Sequence, residues 1–355
     1  MEYLKLLEEI ITDTAKESAS DLHITVGRHP VLRVSGQLIP LTKYPILNAE
    51  SVEGLAVAIL GKESFAIFQK QRDYDCSYAF KDKIRFRVNA YFQKGFAGVA
   101  LRAIPVKIPT LEELNLPPTL IDFTHREQGF FLIVGPTGHG KSTTLASLVD
   151  VINHSKTQHI ITVEDPIEYI FTPDRSLIDQ REVGTDTDSF PAALRAMFRE
   201  DVDMVMIGEM RDPETIGTAV TAAETGHLVF SSLHTNNAAQ TVDRIIDTFP
   251  AQQQNQIRSQ LANTLLGIFS QRLIPRTSGG LIPAYELLIS TPAVRNLIRE
   301  NKVHELDLVI ETSGEVGMIS FNRSLVDLIR RGEITMENAL AFSLNPKELQ
   351  TLAGR

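Results

Sequence analysis

The chain has a single cysteine, Cys76, among 355 residues. No intrachain disulfide and no four-cysteine zinc site can form, so the fold must rest on a packed core. Excess positive charge is also missing. Lys and Arg total 35 against 44 Asp and Glu, a formal charge of −9. That excludes a strongly basic nucleic-acid footprint overall, though not one basic face. Nowhere do about 18 apolar residues run together, so no transmembrane helix is expected. The opening MEYLKLLEEIITDTAKESASD lacks the basic start and unbroken apolar stretch of a secretory signal. The expected location is the cytoplasm, and a role at a membrane would need a partner.

What is present is ordinary globular material, 43% hydrophobic and 22% charged. The length suggests two domains at roughly 100–200 residues each. Tyr3, Leu7, Ile10, Ile11 and Thr14 fall at helical spacing. The acidic Glu2, Glu8, Glu9 and Asp13 favour a helix packed on its own domain over one lying on a membrane. Residues 22–46 read as short strands joined by turns, broken at Gly27 and Ser35-Gly36. Residues 51–72 look helical, and Tyr74–Phe80 and Ile84–Tyr91 read as strands around Lys81-Asp82-Lys83. In the second strand Ile84, Phe86 and Val88 alternate with Arg85, Arg87 and Asn89, which puts the basic residues on one face. A further strand, Ala97–Ile104, carries Arg102. The expected domains are 1–105, a proline-rich linker at 106–118, and 119–355.

Beyond the linker, apolar strands alternate with helices: Gly129–Val134, 141–153, His159–Val163, 189–200, Asp203–Ile207, 212–225 and His227–Ser231. Such alternation implies a parallel sheet covered by helices. From about 235 onward the chain reads as mainly helical.

GPTGHGKS at 135–142 fits the phosphate-binding pattern G-x-x-x-x-G-K-[ST] at Gly135, Gly140, Lys141 and Ser142. An apolar strand enters it and a helix leaves. Gly135, Pro136, Thr137, Gly138, His139, Gly140, Lys141, Ser142 and Thr143 are thus the candidate nucleotide cradle. Glycines let the backbone wrap a triphosphate and present its N–H groups. Lys141 would pair with the β and γ phosphates of ATP, and Ser142 would ligate Mg²⁺. Hydrolysis also needs a carboxylate that activates water. Two follow apolar strands: Glu164 after Ile160–Val163, and Glu209 after Met204–Ile207 and Gly208. Strand carboxyl ends line the ligand crevice of an open α/β sheet. Glu209 is the candidate base, and Glu164 a candidate second acid or magnesium ligand. His227 and His234 flank the next strand. A metal pair there lacks a third ligand, so phosphate sensing is the expected role, with His234 bonding the γ-phosphate or Glu209.

These residues resemble the type II/type IV secretion ATPases over nearly the whole chain. The matching segments are SASDLHITVG at 18–27, RFRVNAY at 85–91, GPTGHGKST at 135–143, ITVEDPIEY at 161–169, IGEMRDPETI at 207–216 and TGHLVFSSLHTNNA at 225–238. AVRNLIRE at 293–300 is similar to a motif of the branch that retracts pili, and the lone cysteine and modest length suit that branch. The resemblance implies a PAS-like α+β domain followed by a RecA-like P-loop ATPase domain with a helical C-terminal portion. It further implies a homohexameric ring, a pilus platform protein of the inner membrane as partner, and Arg87 and Arg102 reaching the phosphates. Departures from the pattern are His139 within the cradle, Val202 between Asp201 and Asp203, and Ser231-Ser232 before His234.

Five other readings compete. A pilus-extension or secretion-assembly ATPase would be longer and usually carries a four-cysteine motif. A metabolite kinase needs an acceptor lid, and a GTPase needs a guanine motif; neither is apparent. A RecA-like nucleic-acid motor is disfavoured by the acidic balance. A regulatory ATP-binding module would not need Glu209.

Overall fold

The computed structural model describes every residue except 1, 18, 35, 81–83, 105, 106 and 355. The expected turn at Lys81-Asp82-Lys83, with Ser35 and the first linker residues, lies outside that set. The chain divides into two units, residues 1–107 with Pro166–Ile170, and Ile108–Asp165 with Phe171–Arg355.

In the first unit α1 (Glu2–Lys16) buries Leu7, Ile10, Ile11 and Thr14 completely, as an amphipathic helix should. It therefore spends its apolar face on its own unit. Strands β1 (Asp21–Thr25), β2 (Val31–Val34) and β3 (Gln37–Pro40) precede α2 (Ala49–Gln71). Asn48 caps α2 by accepting from the Ser51 N–H. Gly54 brings α1 and α2 together, since a Cβ there would sit 2.3 Å from the Tyr3 ring. Strands β4 (Asp73–Phe80), β5 (Ile84–Gln93) and β6 (Phe96–Ile104) complete an antiparallel sheet of order β3-β2-β1-β6-β5-β4. Its core includes Phe86, Val88, Val99 and Leu101.

The second unit begins with the segment expected to be a linker. Thr110 and Glu113 form a reciprocal capping box there, and Leu111 and Leu116 are buried. The Ser147 hydroxyl donates 2.6 Å to Pro109 O, so this strap lies on the helix that carries Ser147. Prolines dominate the reading of this stretch, but its two leucines anchor it.

After α3 (Ile121–Thr124) come β7 (Gly129–Val134), α4 (Lys141–Ser155), β8 (His159–Glu164), β9 (Leu177–Glu182), α5 (Phe190–Met197), β10 (Met204–Ile207), α6 (Pro213–Glu224) and β11 (Leu228–Leu233). Then follow α7 (Ala238–Asp247), α8 (Ala251–Thr264), β12 (Leu265–Pro275), β13 (Leu281–Ile289), α9 (Pro292–Arg299), α10 (Leu306–Thr312), α11 (Phe321–Arg330), α12 (Met336–Phe342) and α13 (Pro346–Ala353). The sheet order is β13-β12-β7-β11-β10-β8-β9, parallel except for the β12/β13 pair. β7, β10 and β11 are buried at every position, as a parallel sheet covered on both faces requires. The long β12/β13 hairpin stands where the sequence reads as mainly helical. β9 also escapes sequence reading: it is an edge strand whose buried residues are only Ile178 and Glu182. In α9, Thr291 caps the helix and Val294 and Ile298 are fully buried.

Candidate nucleotide site

Strand register sets the site. Val134 pairs with Leu233, and Ile207 pairs with both Ser231 and Val163. The residues just past β7, β8, β10 and β11 are therefore neighbours at one edge of the sheet. These are the Gly135 loop, Glu164 as the last residue of β8, Gly208-Glu209, and His234.

The loop 135–140 needs its glycines. Gly135, Gly138 and Gly140 have φ of 148°, 79° and 81°. A Cβ on Gly135 would lie 2.3 Å from Gln271 O, so the loop rests directly on β12. Lys141, 7% exposed, opens α4 and donates from Nζ to Gly135 O at 2.9 Å and Pro136 O at 3.0 Å. Ser142 and Thr143 follow in the first turn, at the N-terminal end of α4, whose positive dipole end favours an anion.

The same ammonium approaches His234 Nδ1 at 3.4 Å, and Thr137 Oγ1 lies 3.2 Å from that nitrogen. An ammonium can only donate, so Nδ1 accepts and the ring proton sits on Nε2. Nε2 then donates 2.8 Å to Glu209 Oε2. The Arg211 guanidinium holds the other oxygen of Glu209. Lys141, His234 and Glu209 thus form one continuous chain.

Glu164, 6% exposed, accepts from Thr162 Oγ1 at 2.7 Å and Gln180 Nε2 at 3.3 Å. Gly208 packs beside the end of β8: a Cβ there would meet Val163 O at 3.4 Å and Glu164 Cα at 3.5 Å, ordinary contact distances. Ser231 and Ser232 donate to Ile207 O at 2.9 Å and Gly208 O at 2.7 Å, tying the end of β10 to β11. The serine pair that departs from the family pattern is part of the mounting of Glu209.

His227 is not with these residues. It precedes β11, and its ring nitrogen bonds Ala222 O at 3.1 Å while Phe198 packs edge-on against it. Roughly 20 Å of extended strand separates it from His234. Within one chain its surroundings are those of a structural histidine. Arg87 and Arg102 lie in the first unit as direct partners across β5 and β6, both exposed. Arg102 Nε donates 2.9 Å to Asp21 Oδ1. Burial alone would raise the Asp21 pKa, but the bonds from Ser20 and Arg102 hold it below the usual carboxylate range.

Residues 2–305 match the type II/IV secretion system protein family. The chain belongs to that family. It is 43% identical over 333 residues to a Pseudomonas aeruginosa protein named type IV pilus retraction ATPase PilT, covering 94% of this chain and 96% of that one. It is 40% identical over 355 residues to type IV pilus ATPase PilU of the same organism, covering 99% and 91%. The fold superposes on the crystal structure of the pilus retraction motor PilT with bound ADP at a TM-score of 0.91, with 45% identity and 97% and 98% coverage. The chain thus has the mixed α/β, RecA-like fold of that secretion ATPase.

Two residues of this family member escape sequence reasoning. Gln271, 2% exposed on β12, donates 2.7 Å to His139 O and accepts 2.8 Å from Thr144 Oγ1. Beside it, the Leu273 N–H donates 2.9 Å to His139 Nδ1. Burial, then the nearby Arg272 and Lys141 charges, lower the His139 pKa, so the ring is a neutral acceptor. His139 docks the loop on β12. The second residue is Glu286 on β13. It accepts from the Ala238 N–H at 2.8 Å and from Ser270 Oγ at 3.4 Å, fixing the start of α7 behind His234. Only a polar residue inside an otherwise apolar run could have signalled either.

Burial pushes the Glu286 pKa up to about 7, against the opposing bond from Ala238. Folding therefore takes up a proton that the unfolded chain releases near its ordinary value of 4.5. Stability from this group is present at low pH and falls as pH rises through that window. Glu286→Gln is expected to flatten the dependence of Tm on pH between 4.5 and about 7. An unchanged slope would assign the dependence to other groups.

Proposed function

We propose that the chain is a motor ATPase of type IV pilus retraction, working as a homohexamer at the cytoplasmic face of the inner membrane through a pilus platform protein. The observation that carries the reading is the chain from Lys141 through His234 to Glu209, built on the carboxyl edge of a parallel sheet. Full-length similarity to proteins named for pilus retraction supports the direction of work. Among the described residues no helix is long and apolar enough to cross a membrane, which suits attachment through a partner.

In this reading the loop 135–140 and the start of α4 wrap the phosphates of ATP. Lys141 exchanges its two carbonyl partners for phosphate oxygens. Glu209 takes the proton of the attacking water, and His234, neutral with its proton on Nε2, orients that carboxylate. Among the described residues no group of three His, Cys, Asp or Glu could hold a metal. That fits Mg²⁺, which binds through one or two protein oxygens plus phosphate and water. Ser142 and Glu164 would hold it, and it would neutralise phosphate charge. Arg87 and Arg102, adjacent cations on one sheet, are assigned to phosphate charge in the assembled ring.

Two measurements test the proposal together. ATP turnover should rise with assembly, and Arg87→Ala or Arg102→Ala should depress it by about tenfold or more. A strain lacking the gene should remain piliated and fail to twitch. An unpiliated strain would favour pilus extension instead, and turnover indifferent to either arginine would return them to the surface.

A further inference from the structure

β12 presents three consecutive residues to different neighbours. Gln271 and Leu273 hold the phosphate loop through His139 and Thr144. Arg272, between them, reaches elsewhere. Its Nη2 donates 2.9 Å to Asn236 Oδ1 and its Nη1 donates 3.2 Å to Phe342 O. The guanidinium also lies over the Phe321 ring, 5.5 Å from its centroid. Asn236 is two residues beyond His234, in the loop that enters α7. Phe342 ends α12 and Phe321 begins α11. One side chain therefore joins the histidine loop to the C-terminal helices, which pack on Ile274 of β12 and Ile282 of β13 in a core that includes Leu325, Leu328 and Leu349.

The chemistry suits arginine. A planar fork donates in two directions while its face rests on an aromatic ring, which a lysine ammonium cannot do. Burial lowers the Arg272 pKa, yet a guanidinium keeps its charge in proteins. The two arms are hydrogen bonds from a charged donor, the stronger kind.

We propose that Arg272 is a positioning residue that fixes the His234 loop and couples the nucleotide state to α11 and α12. The inference rests on the ATPase reading and extends it. When phosphate takes the Lys141 ammonium, His234 Nδ1 loses that donor and the loop re-seats. Asn236 moves with it, and the guanidinium carries the displacement to the carbonyl that ends α12.

Hydrogen exchange at residues 340–345 provides the test, measured in the full chain without nucleotide and with saturating MgADP or a slowly hydrolysed ATP analogue. Titration with fluorescent ADP and steady-state turnover are measured in parallel. Wild type should change its protection there on binding nucleotide. In Arg272→Met the change should be lost, nucleotide binding should stay within about threefold, and kcat should fall about fivefold or more with KM unchanged. Arg272→Lys should not rescue it. Asn236→Ala, which cuts one arm and removes no charge, should reproduce the loss if Arg272→Met folds poorly. A wild-type exchange response retained in Arg272→Met, or absent from wild type itself, overturns the coupling. A rise in KM at unchanged kcat would also overturn it. Failure of the ATPase reading looks different, because wild type would then neither bind nor hydrolyse ATP.

Discussion

Lys141→Ala is expected to abolish measurable ATP binding. The ammonium is buried at the mouth of the loop and bonded to two of the loop's own carbonyls. Those bonds hold it where a β/γ phosphate pair would meet it, so no large side-chain movement is needed on binding. Its removal deletes a buried positive charge facing a polyanion and leaves two inward-turned carbonyls without their donor. Each bond to a charged group contributes about 1.5–3 kcal/mol, so losing two amounts to a weakening of roughly 10²-fold or more. Titration with fluorescent ADP reads this directly. The scaffold should survive, because Gly135 stays seated on β12 and His139 on Leu273 without the lysine. A variant that binds nucleotide normally would sink the phosphate assignment of the loop.

Glu209→Gln should separate binding from turnover. The carboxylate touches His234 and Arg211 and has no bond to the loop backbone. A glutamine oxygen can still accept from His234 Nε2, so the loop, Lys141 and Ser142 keep their places and ATP affinity should hold. On the proposed reading, what is lost is the base for the attacking water. Loss of a general base costs about 10²–10⁴ in rate. Phosphate release should therefore fall by at least about 10²-fold at an affinity within a few-fold of wild type. Persistence of normal hydrolysis would move the base elsewhere, with Glu164 as the next carboxylate to try.

The parts of this fold that can be read from sequence share one property: their polar and apolar residues obey the period of their element. From β7 to β11, with β9 the exception, apolar runs alternate with helices. Ser189, Asp212 and Asn237 sit at the N-caps of α5, α6 and α7. β12 breaks the rule. Its central Ser270 and Gln271 are polar yet only 2% exposed, because their partners are Glu286 and the phosphate loop rather than water. Such a run looks like the amphipathic helices around it. The hairpin, Gln271 and Glu286 are therefore missed for a single physical reason. Among the candidate site residues, Lys141, Glu164, Glu209 and His234 come together because strand register carries them to one edge. His227 does not, because sequence adjacency across a strand is separation in space.

Glu209 and His234 are anchored in different parts of the sheet. Glu209 stands one residue past β10, where Gly208 N bonds Val163 O and two serine hydroxyls grip the backbone from the neighbouring strand. His234 stands at the start of a short loop fastened at its far end by Asn236 and Ala238. The bond between them thus ties β10 and β11 on one side to β12 and β13 on the other, so on the proposed reading a shift at the nucleotide would be felt across the whole sheet edge and not at one residue.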